Sequence, residues 1–317
     1  MNRLRTSGVV DVHQHLWPRE LIETLRARRR PPRLRGWTLE LAGEPDYLVD
    51  PVDHDVDVRV EQAVGDGLAL ALVSLSSPLG IEGLPPGEAH ELLDAYHDGV
   101  LTLPAPFGGW AAACLTDIDP AALKTELDRG FVGLQLPATT VLDTAGYDRV
   151  RPLLELLEAA DRPLLVHPGR AGGPDRVANG APAWWPAIVP YVQQMHAAWF
   201  AFRAYGRPQH PGLRVCFAIL AGLAPLHGER FAARAGGRSP VDPGVFLEIS
   251  SYGTRAIDAT IRVLGIDALV NGSDRPYADP VRIDLGVAAT HALCRANAGR
   301  LLYPKEVLDD VAVAAYA

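Results

Sequence analysis

Short apolar, β-rich runs recur along the whole chain, and each is followed by a segment with helical periodicity. This is the pattern of repeated βα units, because neighbouring parallel strands have to be joined by a crossover that is most often a helix. Eight such runs occur: "VVDVHQH" (9–15), "LALALVSLSS" (68–77), "FGGWAAACL" (107–115), "FVGLQLP" (131–137), "PLLVHPG" (163–169), "RVCFAIL" (214–220), "VFLEISS" (245–251) and "ALVNGSD" (268–274). Most are continuous apolar stretches, as strands buried on both faces require. Eight units favour a closed (β/α)8 TIM barrel, distorted by insertions, over a doubly wound sheet, and no GxGxxG follows the first run. No Pro/Gly/Ser-rich linker divides the sequence, so residues 1–317 are expected to form a single α/β barrel domain.

The intervening helices carry their own signals. In "DPAALKTELDRG", Asp119 is placed to cap, Pro120 to open the first turn and Gly130 to stop the helix. "DRVRPLLELLEAADRP", "GTRAIDATIRVLG" and "DPVRIDLGVAATHALCRANAG" show apolar residues at helical spacing. Two segments break the rhythm: residues 26–56, proline-rich and mixed in charge, and residues 174–206, rich in tryptophan. The first reads as a long insertion after strand one and the second as a long loop and helix after strand five, both on the face where barrels place their active sites.

Three strand ends carry side chains that bind metals. In an extended chain His13 and His15 project to one face while Gln14 projects away. Strand five ends in His167 and strand eight in Asp274. Three neutral imidazoles and a carboxylate suit one divalent cation, Zn²⁺ first, with Mn²⁺ or Fe²⁺ as alternatives.

Composition narrows the partners. A net charge of −8 and the lack of a long basic stripe exclude nucleic acid as the expected partner. The longest apolar run is too short to span a bilayer, so no membrane role is expected. No apolar core follows Arg3 and Arg5, so no secretory signal is expected. Cys114, Cys216 and Cys294 are widely spaced and odd in number, which fits a reducing cytoplasm. The expected partner is a small molecule, and the chain permits a homodimer.

The HxH of strand one, "HPG" of strand five and "GSDRP" of strand eight resemble the amidohydrolase superfamily. The closer likeness is to its branch containing aminocarboxymuconate-semialdehyde decarboxylase. Residues 101–138, "GLAPLHGER" and "RANAGRLL" are similar to further landmarks of that branch. The resemblance implies a distorted barrel, one metal held by His13, His15, His167 and Asp274, and Asp274 as the proton carrier. Where two-metal relatives hold a bridging lysine, Gln135 stands here, which implies one metal. The strand-six histidine of the decarboxylase branch is replaced by Ile219, and the glycine after it by Ala221. His227 lies in the opening turn of the next helix, turned from the mouth.

Because Ile219 weakens the link to decarboxylation, the leading expectation is hydrolysis of an amide, ester or lactone in a small carboxylated or aromatic molecule. Metal-bound hydroxide would be the nucleophile and Asp274 would move the proton. The alternatives are non-oxidative decarboxylation of an aromatic or muconate-like acid, and a barrel that binds ligands without turnover. Trp17, Gln135, Arg170 and Trp185 are the candidate substrate contacts, with Arg170 placed to fork onto a carboxylate. Glu248 on strand seven is placed to orient a ligand histidine through its second nitrogen.

Overall fold

The structure, a computed structural model, describes residues 8–42, 44–171, 181–235, 241–281 and 284–303. Each of the eight apolar runs contains a strand: β1 (Val9–Gln14), β2 (Leu68–Val73), β3 (Phe107–Gly109), β4 (Leu134–Pro137), β5 (Leu164–His167), β6 (Val215–Phe217), β7 (Val245–Glu248) and β8 (Leu269–Val270). All pairings among them are parallel. They run as β1–β2–β3 and β4–β5–β6–β7–β8. The two sheets meet at both edges, through bridges of Ala111 with Leu134 and of Gln14 with Arg275. Val12 N donates to the Asn271 carbonyl at 2.9 Å, and Ala111 N to that of Gly133 at 2.9 Å. The strands therefore surround one interior in the order of a (β/α)8 barrel, distorted where these seams replace continuous ladders.

Side-chain alternation divides the apolar residues into two layers. Leu72, Trp110, Leu165, Cys216, Phe246 and Val270 fill the inside. Val73, Leu164, Val166, Val215, Phe217 and Leu247 face outward into the larger core beneath the helices. With a period of two, the residues two beyond Leu165 and Phe246 also point inward, at the C-terminal mouth. Those residues are His167 and Glu248.

The helices include α1 (Arg19–Ala27), α2 (Val56–Gly65), α3 (Pro86–Thr102), α4 (Pro120–Arg129), α5 (Thr144–Ala159), α6 (Pro190–Ala201), α7 (Gly228–Ala235) and α8 (Thr254–Leu264). Asp119 caps α4, its Oδ1 accepting from Ala121 N at 2.8 Å and Ala122 N at 3.1 Å. Among the described residues no helix is long and apolar enough to cross a membrane.

The first insertion holds more structure than its composition suggests, and the second contains the expected helix. The first contains three short antiparallel strands, Arg33–Arg35, Thr38–Glu40 and Tyr47–Leu48. Buried Leu34 and Leu39 pair across it, and Arg33 Nε reaches Glu40 Oε2 at 2.6 Å, which offsets the proline-rich start. Residues 174–180 of the second insertion lie outside the described residues; the rest forms a short helix, Trp185–Ile188, then α6. The helix expected to begin near residue 279 instead starts at Val287, after Gly286 with φ of +82°.

The chain beyond β6 departs most from regular geometry. Ile219, Leu220, Ala221, Gly222 and Leu223 all have φ between +45° and +60°, a left-handed turn. At Gly222 a Cβ would lie 2.5 Å from the Val192 carbonyl of α6, so only glycine fits this close approach.

Candidate metal centre

The mouth of the barrel brings His13, His15, His167 and Asp274 together, one ligand atom from each lying within 4.8 Å of the others. His13 Nε2 and His15 Nε2 are 3.1 Å apart. Asp274 Oδ1 lies 3.1 Å from His15 Nε2 and 3.7 Å from His13 Nε2. Four ligands on a tetrahedral cation with bonds of ~2.1 Å would sit about 3.4 Å apart, so these spacings suit such an ion.

The hydrogen bonds on the far side of each ring decide its tautomer. His15 Nδ1 faces the Ser74 carbonyl at 2.9 Å and His167 Nδ1 the Pro168 carbonyl at 2.8 Å, acceptors that demand a proton on Nδ1. His13 Nδ1 faces Glu248 Oε2 at 3.1 Å, with the same consequence. Three bare Nε2 lone pairs and an Asp274 carboxylate oxygen therefore converge. Lone pairs directed at one another at 3.1 Å repel, and a cation between them turns that repulsion into coordination. The donor set fits a divalent metal.

The electrostatics agree with that inventory. Burial, reinforced by the neighbouring imidazoles, holds His167 well below the ordinary histidine range. Burial also lowers His15, outweighing the nearby Asp274 carboxylate. For His13, burial acts downward, but Glu248, Asp274 and Asp11 more than offset it and leave this imidazole the most basic of the three. Glu248 itself is fully buried and accepts from His13, from Ile219 N at 3.2 Å and from Ser250 Oγ at 2.9 Å.

Asp274 differs from the histidines in exposure. Its side chain is 17% exposed, against at most 1% for His13 and His15, so it forms the open side of the cluster. It also has φ of +59°, a backbone state that a non-glycine residue keeps only when its surroundings impose it. Tyr277 stands on the same side, its ring 5.2 Å from that of His15 and its hydroxyl 3.4 Å from Ser76 Oγ.

The four expected substrate contacts occupy varied positions. Trp17 is buried, stacked on His54 at 4.4 Å with Nε1 3.4 Å from Ser76 Oγ, so it presents no open face to the mouth. Gln135 is also fully buried, its Nε2 donating to the Leu75 carbonyl at 2.5 Å and to Ser77 Oγ at 2.7 Å. Arg170 is exposed and one of its amino groups bonds the Ala42 carbonyl of the first insertion, which leaves less of its fork for a carboxylate. Trp185 packs near Trp184, ring centroids 5.8 Å apart, with no contact to the cluster among the described residues.

Sequence reasoning passed over His54, Arg59, Asp11 and Tyr277. His54 carries no motif, yet it is buried under Trp17, which together with the nearby Arg59 charge pushes it down to about 3 and keeps it neutral. Asp11 had a readable signal: a carboxylate inside an apolar strand, on the same face as His13 by the period of two.

No protein-family model matches this sequence, and no curated protein matches it. Solved structures do. IDCase from Metarhizium anisopliae superposes with a TM-score of 0.74 at 18% identity, covering 97% of this chain and 100% of that one. 2,6-Dihydroxybenzoate decarboxylase from Rhizobium gives 0.69 at 21%, covering 93% and 98%. A dihydroxybenzoic acid decarboxylase from Polaromonas, with bound manganese and the inhibitor 2-nitroresorcinol, gives 0.66 at 20%, covering 93% and 96%. The chain shares the fold of these structures over nearly its whole length.

Proposed function

We propose that this chain is a metal-dependent, non-oxidative decarboxylase of a small aromatic acid, with His13, His15, His167 and Asp274 as its metal ligands. The observation that carries this reading is the convergence of three Nε2 lone pairs and one carboxylate at the mouth of a barrel whose structural neighbours include manganese-bound decarboxylases. One such neighbour is complexed with 2,6-dihydroxybenzoate, which supports a hydroxylated benzoate as the substrate class. A divalent cation here would hold the substrate's carboxylate and draw charge from the adjoining carbon.

The protein's own groups supply orientation and a proton. Asp274, the exposed member of the cluster, is the group that would hand a proton to the substrate. As the C–C bond breaks, carbon dioxide leaves, the electron pair stays on the ring carbon, and a proton taken from water passes through Asp274 to that carbon. Ile219, at the end of β6, gives that side of the mouth an apolar residue, and apolar surroundings favour loss of the carboxylate as neutral carbon dioxide.

Hydrolysis is the second reading, because Ile219 offers no acid or base at the end of β6. Metal-loaded protein supplied with hydroxybenzoates in heavy water is expected to release carbon dioxide and leave one deuterium on the vacated ring carbon. Turnover of lactones or amides, with no carbon dioxide from any acid, would replace this reading with hydrolysis. Asp274→Asn is expected to retain part of the metal and to lose ~10²–10⁴ in turnover. Undiminished turnover would mean that another group carries the proton.

A further inference from the structure

A polar relay that includes none of the ligand side chains holds the HQH segment. Arg59 of α2, 1% exposed, donates from Nη1 to the carbonyls of His15 at 2.8 Å and Asp53 at 2.9 Å, and from Nη2 to Gln14 Oε1 at 2.6 Å. Gln14 Nε2 donates to Asp11 Oδ2 at 2.7 Å. Asp11 Oδ1 accepts from the backbone N–H groups of His13 and Ser273, each at 3.1 Å. Arg59, Gln14 and Asp11 are all buried.

The bonds at each end leave Gln14 one orientation, oxygen to the guanidinium and nitrogen to the carboxylate. Two opposite buried charges are thus joined through a neutral amide. The Asp11 end reaches the segment that carries the fourth ligand. Ser273 N also donates to the His13 carbonyl at 3.2 Å, and Asp274 N to the same oxygen at 2.9 Å. The relay therefore spans α2, β1 and the strand-eight end, and fixes how far Asp274 stands from His13 and His15. Asp274, with its left-handed backbone, needs such fixing.

We infer that Arg59, Gln14 and Asp11 are positioning residues that preset the metal centre, so that cation affinity depends on a guanidinium that touches no ligand side chain. The inference rests on the reading of the cluster as a metal centre. Arg59→Met removes every donor of the fork; Arg59→Lys keeps the charge but cannot hold both acceptors in the same plane. Gln14→Met cuts the relay in the middle.

The test uses the full chain, stripped of metal and titrated with Mn²⁺ and with Co²⁺, whose visible absorption reports coordination geometry. Arg59→Met and Gln14→Met are expected to bind both ions ~10- to 100-fold more weakly with an altered Co²⁺ spectrum, and Arg59→Lys to recover part of the loss. Apo-protein melting provides the control. Variants that melt earlier yet bind Co²⁺ with unchanged affinity and spectrum would overturn the positioning role and leave only a structural one. Should Arg59→Met fail to fold, Arg59→Lys and Gln14→Met decide the matter. A wild-type chain that takes up neither ion would instead overturn the metal-centre reading itself.

Discussion

The ends of β1, β5 and β8 and the end of β6 face one mouth and are built on opposite plans. On the first side, ring nitrogens and a carboxylate oxygen are aimed inward, and each imidazole is locked by a bond behind it. On the second, the chain turns left-handed through Ile219–Leu223 and offers apolar side chains, with the Ile219 N–H bonded to Glu248 and the Ala221 N–H to the Ala218 carbonyl. Left-handed backbone costs roughly 1–2 kcal/mol per L-residue, so this turn persists only because packing on α6 and Glu248 impose it. One side is built to suit a cation; the other is apolar. On the proposed reading the reacting proton would enter from the Asp274 side.

The sharpest way to break this contrast is His167→Ala. One equivalent of divalent metal in the wild type should fall to almost none after dialysis, and turnover should follow it. A variant with wild-type metal content would reduce the cluster to a polar strand end. Glu248 links the two sides, accepting from both His13 and Ile219. Glu248→Gln should weaken metal affinity about 10- to 100-fold. If affinity is unchanged while stability drops, Glu248 serves only the turn. Gly222→Ala should do the converse, lowering unfolding free energy by about 1–3 kcal/mol while metal content holds. Chemical denaturation of the loaded protein reads both quantities.

The barrel was legible because each strand is short, apolar and followed by a helix signal, so eight local patterns sufficed to set the order. Strand ends were less so: "ALVNGSD" yields only Leu269–Val270 before the chain leaves the sheet, since Asp274 has to turn toward the histidines. The HxH, HPG and SDRP positions stood out because few apolar strands end in metal-binding side chains. Trp17 was harder, because a tryptophan beside a site can face the mouth or the core, and only the stacked His54, 37 residues on in sequence, settles it toward the core. Arg59 was harder still, since a lone arginine on a helix normally reads as a solvated face.

The smallest effect concerns the arc of β2 and β4, where a third arrangement lies between β1 and β5. Gln135, Ser77 and Glu82 form a buried chain in which Ser77 Oγ donates to Glu82 Oε1 at 2.5 Å, while Gln135 Oε1 and Glu82 Oε2 have no partner among the described residues. Burial pushes the Glu82 carboxyl up to about 7. With an ordinary carboxyl near 4.5 in the unfolded chain, the folded state holds a proton that the unfolded state has already released. The contribution is thus fully present below about pH 4.5, fades as pH rises, and is lost above about 7. Between pH 6 and 8 this amounts to about 1 kcal/mol of lost stability, and Glu82→Gln should flatten that slope because the amide does not titrate. Parallel slopes in the wild type and the variant would mean that Glu82 is ionised in the fold, and that this arc carries a charge rather than a neutral acid.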